Sequence, residues 1–371
     1  MRKIRTLFIC LFLVITIGGC SSFGVGNIIE DIYTNMQDIT LYEGNFYYDQ
    51  LTDHEKAVYC AIMNAAHKFK GEVRLPFFSK EEVSRAVKAC TRENPLYYWV
   101  NEHVIYTISP EDNVTNIEFK EECSEATFNQ LKQICETIVE ESKAESEEET
   151  LRNIYLNLAE RITYVADSEF NQDIRSSLIN GESVCAGYAK ALQAVLQVAG
   201  YQNYYVTGIA TQEDSTDPHG WNLINLDNEW YWCDLTWDDR QQTHNDYFLV
   251  SDAELLAHHT PDTELFSYPE CTSEKYNSFI GKENYFEVFD QIAVEKYIAS
   301  QIKNGSKNIT VKFKTDEAYK EAEYYICECD GLYVLFRNYV SETAGYNCGI
   351  SKEPNTRILR FIDFKIKGKL N

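Results

Sequence analysis

The sequence predicts an α+β protein built around one helix and the antiparallel hairpin that follows it. An apolar run that starts near Val184 and stops before Gly200 indicates the helix. Residues 219–237 alternate in the way that a β-hairpin does. Further helix and strand signals on both sides of this pair predict an N-terminal α/β region and a small C-terminal α+β module.

A cysteine lies at the predicted start of the central helix. Ser183 is the predicted N-cap, and Gly200 is the predicted stop. Cys185 then falls in the first turn, where unpaired N–H groups and the helix dipole favour the nucleophilic thiolate. Gly187 and Ala189 would let a substrate or a neighbouring segment approach closely. A small buried cysteine at a helix start is the alternative interpretation.

The hairpin carries an imidazole and a carboxylate. Residues 227–228 are an Asp-Asn pair that tolerates the left-handed conformation, which predicts a two-residue turn. Counting outward, His219 and Asp234 become diagonal neighbours on one face, close enough to hydrogen-bond. The alternative is a core hairpin with a structural histidine. The register gives three pairs: Leu226 with Glu229, Trp221 with Asp234, and His219 with Thr236.

Thiol, imidazole and carboxylate thus follow one another along the chain as Cys185, His219 and Asp234. This is the order of a nucleophile, a base and a residue that orients the base, as acyl transfer through a thioester requires. Asp234 is preferred for the orienting role on geometry. The competing acids lie in the turn or beyond the strand, where acids are usually solvated: Asp227, Asp238 and Asp239.

Three consecutive segments resemble motifs of the bacterial transglutaminase-like domains, which belong to the papain-like thiol enzymes. They are GESVCAGYAKALQAVL, HGWNLINLDNEWYWCDLTWDD and DYFLVSDAELLAHHT, and with the preceding helix they cover roughly residues 148–275. The resemblance implies a papain/transglutaminase-like core in which the cysteine helix packs on an antiparallel sheet. It also implies that Cys185 is the nucleophile, His219 the general base and acid, and Asp234 its orienter.

The match departs from the family in two places. Gly220 stands where the family commonly has alanine, a change expected to be harmless, and residues 170–177 do not closely match the usual upstream motif. The N–H of Cys185 is therefore the only oxyanion donor that we name. His258 and His259 resemble a histidine feature of the family and are interpreted as structural.

No metal and no cofactor are predicted. His219, Cys233 and His244 could suggest a metal site, but they contain no close-spaced ligand pair of the Cys-x-x-Cys or His-x-x-x-His type.

The amino terminus predicts export and a lipid anchor. Basic residues precede an apolar stretch at 7–17 that is too short to span a bilayer comfortably, and residues 17–20, Ile-Gly-Gly-Cys, resemble a bacterial lipobox. We expect a signal peptide over 1–19, lipidation of Cys20 and an extracytoplasmic protein anchored to the membrane. An uncleaved membrane helix is the alternative.

Charge and cysteine content narrow the partners. The chain has 34 basic and 58 acidic residues; removing the signal and its three basic residues leaves 31 against 58, a net charge of −27. Such acidity argues against nucleic acid and fits a basic or neutral peptide substrate. Of twelve cysteines, nine remain after Cys10, Cys20 and Cys185 are set aside, and their spacing gives no disulfide framework.

The remaining regions are predicted as follows. Residues 20–43 form a tether, 44–145 a mostly helical α+β region, 146–275 the catalytic domain and 276–371 the C-terminal module. Capping boxes predict helices over roughly 53–69 and 80–91, and Ser146 with Glu149 caps another. In the C-terminal module the pattern predicts a helix near 293–298, a strand at 309–314, a helix at 316–327 and strands at 333–339 and 358–367.

Two functions remain open at this level. The first is a lipid-anchored thiol enzyme that cleaves or transfers peptide or protein amides through an acyl-enzyme, as a protease, amidase or transglutaminase. Hydrolysis is favoured because the sequence shows no amine-acceptor site. The second is a surface binding module that kept the three residues but lost turnover. Substrate identity and oligomeric state are not predicted.

Overall fold

The computed structural model describes residues 42, 44–212, 215–240 and 246–368. The predicted signal peptide, Cys20 and His244 lie outside this range. The chain divides into two compact units, residues 1–127 and 128–371. In the described part of the chain, no helix combines the length and the apolar composition that crossing a bilayer requires.

The described part of the N-terminal unit combines three helices with a three-stranded antiparallel sheet of order β1-β3-β2. Both predicted capping boxes are present, at Thr52 with Glu55 and at Ser79 with Glu82. Strand β1 was not among the predicted elements; its register is irregular between Arg74 and Phe78, the stretch that contains Pro76. The elements are α1 (Phe46–Asp49), α2 (Asp53–Ala66), β1 (Glu72–Phe78), α3 (Lys80–Glu93), β2 (Val104–Ile108) and β3 (Val114–Phe119).

The larger unit opens with helices that lead to the cysteine. The Ser146 hydroxyl accepts from the Glu149 N–H and caps α5, as predicted. A short parallel pair, β4 with β5, and a π-helical turn at Ser176–Asn180 precede α6. Gly200 follows that helix with a positive φ of 89°. The elements are α4 (Glu125–Ser142), α5 (Glu147–Arg161), β4 (Thr163–Tyr164), β5 (Glu182–Ser183) and α6 (Cys185–Val198).

Helix α6 packs on a four-stranded antiparallel sheet of order β8-β7-β6-β9. The amide of Asn222 on β7 donates to the Ala189 carbonyl of α6 at 2.8 Å, which ties the helix to the sheet. The strands are β6 (Asn203–Gln212), β7 (Ser215–Leu226), β8 (Glu229–Cys233) and β9 (His259–Pro261). The helices α7 (Leu235–Arg240) and α8 (Asp252–Leu255) lie between β8 and β9 in the chain.

The hairpin turn has the predicted form. Both turn residues, 227 and 228, adopt positive φ, and Leu226 pairs with Glu229. The ladder ends at Asn222 with Cys233, so the predicted pairings of Trp221 with Asp234 and of His219 with Thr236 are both wrong. The chain leaves the sheet because the Asp234 side chain accepts the Trp237 N–H at 3.0 Å and starts α7.

The C-terminal module has its own core and a sheet of order β10-β11-β13-β12. The predicted strand at 333–339 is wrong, since α11 and a π-helical turn occupy it. The buried side chains Leu332, Leu335, Phe336 and Val340 recur at helical spacing. The elements are β10 (Tyr285–Phe286), α9 (Gln291–Lys303), β11 (Ile309–Phe313), α10 (Asp316–Glu323), α11 (Gly331–Leu335), β12 (Gly345–Glu353) and β13 (Ile358–Lys367).

Candidate active site

Cys185 is the first residue of α6 and is partly exposed. The N-cap is Val184, so the prediction of Ser183 as N-cap is wrong. The Ser183 hydroxyl instead bonds the Asn171 carbonyl at 3.0 Å and the Ser176 hydroxyl at 2.6 Å. A Cβ on Gly187 would come within 1.9 Å of the Ser183 Oγ. The close approach expected at Gly187 therefore serves the segment before the helix.

The valine N-cap leaves a positive helix start beside the thiol. Its side chain makes no cap hydrogen bond, so the first-turn N–H groups keep the partial charge that favours a thiolate. The upstream segment 170–177 supports the helix through two buried serines. Ser176 bonds Ser183, and Ser177 donates to the Gly187 carbonyl at 3.0 Å. The sequence of this segment therefore serves to hold the start of α6 in place.

His219 lies between the thiol and a buried carboxylate. Its Nε2 is 2.6 Å from Oδ2 of Asp234, and the imidazole also interacts with the side chain of Cys185. Burial alone would lower the imidazole pKa, but the carboxylate and the thiol outweigh it and raise the pKa of His219 to about 10. The imidazole therefore carries a positive charge at neutral pH.

Asp234 is fully buried and accepts from three donors. Its Oδ1 accepts the Trp237 N–H, and its Oδ2 lies 2.6 Å from His219 Nε2 and 3.0 Å from His259 Nε2. Burial opposes ionisation, yet the imidazoles hold the pKa of Asp234 well below its ordinary value. Asp234 is therefore a fixed anion that orients and charges His219.

His259, which the sequence analysis interpreted as structural, contacts the Asp234 carboxylate and so belongs to the site. It is fully buried at the start of β9, which pairs with β6 at Ala210. Burial lowers the pKa of His259, and a neutral ring facing an ionised carboxylate donates its Nε2–H. Its neighbour His258 stacks on Trp237 at 5.6 Å, and burial lowers the pKa of His258 to about 3. The motif contains both histidines, and only the position of β9 decides which one meets Asp234.

Aromatic rings enclose the imidazole. Trp221 is fully buried and stacks on His219 with ring centroids 5.9 Å apart. Trp237 lies on His219 at 5.6 Å and on His259 at 4.5 Å. These rings keep water from the histidine and the aspartate, and exclusion of water strengthens the electrostatic interactions between them.

The glycine after the histidine is required by its surroundings. A Cβ on Gly220 would meet the Tyr205 ring at 2.7 Å. Tyr205 also packs against Ala186 and Ala189, in the first turns of α6. Alanine at 220 would therefore require Tyr205 to move in this chain, because Tyr205 fills the space that a methyl group would take.

The competing acids are occupied elsewhere. Asp238 is fully buried rather than solvated, and it accepts from the Tyr155 hydroxyl at 2.8 Å and from the Asp246 N–H at 2.9 Å. Asp239 accepts the Tyr188 hydroxyl at 2.7 Å, and Asp227, in the hairpin turn, pairs with Lys275 at 2.5 Å.

One group of side chains in the described residues could converge on a cation: His219, Asp234 and His259. Cys233 is not part of it and accepts the Leu249 N–H at 3.2 Å. Both imidazole nitrogens lie at hydrogen-bond distance from the same carboxylate oxygen. An ion at the usual 2.0–2.2 Å from each ligand would have to replace both hydrogen bonds, so this arrangement fits an ion pair better than a metal centre.

Residues 132–235 match the family model of the Transglutaminase-like superfamily. This part of the chain is a transglutaminase-like domain. Its papain-like arrangement, a cysteine helix against an antiparallel sheet, matches the sequence prediction of fold class. No curated protein matches the sequence closely enough to count as a relative.

Three solved structures show weak likeness to the chain. A proposed cysteine protease from Cytophaga hutchinsonii shares 17% identity over 36% of this chain and 40% of its own, with a TM-score of 0.28. A TGase shares 12% identity over 44% of this chain and 50% of its own, with a TM-score of 0.29. The structure of menin, which reveals the binding site for the Mixed Lineage Leukemia protein, shares 22% identity over 31% of this chain and 26% of its own. Its TM-score is 0.23. The chain spans half or less of each, and we draw no conclusion on activity from them.

Proposed function

We propose that this protein is a thiol enzyme that acts on amide bonds of peptides or proteins through an acyl-enzyme on Cys185. One observation carries the proposal. The thiol at an uncapped helix start interacts with an imidazole that a fully buried carboxylate keeps charged. A thiolate–imidazolium pair is the ground state that thiol acyl transfer needs.

The chemistry then assigns a role to each residue. The Cys185 thiolate attacks the amide carbonyl carbon, and the oxyanion meets the N–H of Cys185 at the helix start. The imidazolium of His219 gives its proton to the departing amine, and Asp234 stabilises its charge. Water, activated by the now neutral His219, releases the acid. Hydrolysis is our preferred outcome, and attack by an amine instead of water would make the enzyme a transglutaminase.

The substrate class follows from charge and exposure. The chain carries a net charge of −24, which disfavours polyanions and favours neutral or basic peptides. Cys185 is partly exposed, so a substrate carbonyl can reach it.

Two experiments test the proposal: labelling of Cys185 with a thiol-directed acylating probe, and trapping of the acyl-enzyme that forms with a cell-envelope extract, followed by identification of the attached peptide by mass spectrometry. Wild type should label at Cys185. Cys185→Ala should lose labelling and turnover with its fold intact, since one sulfur is removed from a helix start. Turnover that persists in Cys185→Ala would remove the nucleophile assignment. A folded wild-type protein that never labels would support the alternative of a silent binding module.

We further propose that Cys20 is lipidated and anchors the protein outside the cytoplasm. The support is the basic start, the short apolar stretch and the Ile-Gly-Gly-Cys string at 17–20. A lipid anchor holds a protein at the bilayer without a spanning helix. Cys20→Ser should abolish normal processing or release the protein from the membrane fraction. Normal cleavage together with retention in membranes would contradict the proposal.

A further inference from the structure

The segment between α7 and β9 holds the triad acid from two sides. We call residues 246–259 the clasp segment. Near its start, the Tyr247 carbonyl accepts the Asp234 N–H at 3.0 Å. At its end, His259 donates to the Asp234 carboxylate at 3.0 Å. The position of Asp234 therefore depends on where both ends of this segment lie.

The C-terminal module contacts the clasp segment through two close ion pairs and a third, longer one that joins Arg357 to Glu254 at 3.9 Å. Arg360 on β13 places Nη2 2.5 Å from Oδ1 of Asp246, a fully buried carboxylate. Lys312 on β11 is only 1% exposed, and its Nζ lies 2.6 Å from Oε1 of Glu254 in α8. One of these close ion pairs is thus near the Tyr247 end of the segment, and the other is near the His259 end.

Burial makes these pairs different from others in the same module. Lys352 with Glu323 and Lys314 with Glu287 are also ion pairs, but their side chains lie at the surface. Exposed pairs hold geometry weakly. A buried charge that loses its partner is strongly unfavourable, so Asp246 and Lys312 can stay buried only while the module is docked in this register.

A short chain of hydrogen bonds connects Arg360 to the triad. The N–H groups of Asp246 and Tyr247 both donate to Oδ1 of Asp238, at 2.9 and 3.1 Å. Asp238 lies in α7, four residues after Asp234, and its own N–H bonds the Asp234 carbonyl at 3.2 Å. A shift of Asp246 would therefore reach Asp234 through Tyr247 and through α7.

We propose that Arg360 and Lys312 are positioning residues for Asp234, and that the C-terminal module is part of the catalytic unit. The proposal rests on the proposed function in one respect, namely that Cys185, His219 and Asp234 form the working site. It makes the module a structural requirement of that site instead of a separate binding appendage.

The experiment uses the full chain with Arg360→Gln and Lys312→Gln. The first readout is the pH profile of Cys185 alkylation by iodoacetamide, and the second is the NMR titration of the His219 imidazole. Loss of either ion pair should make the position of Asp234 less well defined and so weaken the thiolate–imidazolium pair. We expect the alkylation rate near pH 6 to be about tenfold lower in each variant than in wild type. Arg360→Lys, which keeps the charge, should recover most of the loss.

Lys352→Gln and Arg337→Gln are matched controls, because each removes a cation from the same module away from the clasp segment. They should keep the wild-type profile. Wild-type profiles in Arg360→Gln and Lys312→Gln, even with a lower unfolding temperature, would overturn the proposal. If Arg360→Gln does not fold, Lys312→Gln and Thr356→Val decide in the same way, since Thr356 also contacts Asp246.

Both readouts observe the protein's own thiol and imidazole, so they do not require turnover. A protein that never forms an acyl-enzyme would lose the proposed function and could still show coupling between Arg360 and His219. A protein that turns over substrate with unchanged rate and profile in both variants would keep its function and lose this inference.

Discussion

Glu93 in the N-terminal unit and Asp234 in the larger unit are both carboxylates withdrawn from water, and their pKa values move in opposite directions. Burial raises the pKa of Glu93 to about 7, against hydrogen bonds from the Tyr47 and Tyr48 N–H groups and the Tyr59 hydroxyl. Burial also opposes the ionisation of Asp234, but there the charge of His219 prevails and the pKa falls.

The difference shows what a buried acid needs in order to stay charged. Neutral donors offset only part of the lost hydration, so Glu93 keeps a proton over much of the acidic range. A cation in hydrogen-bond contact interacts strongly in a water-poor site and reverses the shift. Asp234 can therefore serve as a permanent anion, whereas Glu93 is suited to holding α1 against α3.

Asp234→Asn should have the largest effect. It removes the charge that keeps His219 protonated, so burial would lower the pKa of His219 below its ordinary value. We expect acylation of Cys185 at pH 7 to fall by roughly 10³- to 10⁴-fold, as loss of the orienting charge does in a serine triad. Labelling rates and the NMR titration of His219 measure it. Glu93→Gln is the matched control and should label like wild type; equal losses in both variants would end the comparison.

The ionisation of Glu93 should make the free energy of unfolding fall as the pH rises. This is the opposite of what a lowered pKa, such as that of Asp234, gives. The raised pKa of Glu93 means that the folded state binds the proton more tightly, so its contribution is present below pH 4.5 and is lost as the pH rises to about 7. The free energy of unfolding should fall by roughly 3 kcal/mol across this window. Denaturant unfolding of Glu93→Gln should lack that fall. A wild-type curve that is flat between pH 4.5 and 7 would contradict the raised pKa.

Packing beside the histidine can be disturbed with every charge left in place. Gly220→Ala would push a methyl group into the Tyr205 ring, and overpacking of this kind costs about 1–3 kcal/mol. Unfolding measurements should show that loss, and labelling of Cys185 should fall less than in Asp234→Asn. Adding Tyr205→Val should restore stability to Gly220→Ala. If Gly220→Ala alone is as stable as wild type, the Tyr205 ring can move aside without cost.

His259→Phe tests how much the neutral donor His259 contributes at the carboxylate that also binds the cationic His219. Its effect should be the smallest. The phenyl ring fills the space but donates no hydrogen bond, and a neutral donor contributes about 1 kcal/mol. We therefore expect labelling of Cys185 to fall by at most about tenfold. His259→Gln, which can still donate, should fall less. A loss as large as that of Asp234→Asn would mean that His259 carries a charge in the wild-type protein.

The sequence predicted the parts of the site that depend on neighbours in the chain. The helix starting at Cys185 and the hairpin register from Leu226 with Glu229 follow from apolar periodicity and turn residues. Where longer-range packing decides, the predictions were wrong. Residues 333–339 carry strand-forming side chains but fold as helix, because their apolar positions match the core at helical spacing. The sequence predicted that Asp238, one of two adjacent acids, is solvated. In the structure the Tyr155 hydroxyl and the backbone N–H groups of residues 246–247 hydrogen-bond it instead.

The sequence by itself determined the identity and order of thiol, imidazole and carboxylate, since a helix start and a two-residue turn are set by a few adjacent residues. Only the tertiary structure decided that His259 and not His258 bonds Asp234, that Tyr205 excludes a methyl group at Gly220, and that Arg360 and Lys312 hold the clasp segment. These contacts join residues far apart in the chain. Their partners are chosen by how sheets and modules pack, and local patterns carry no record of that choice.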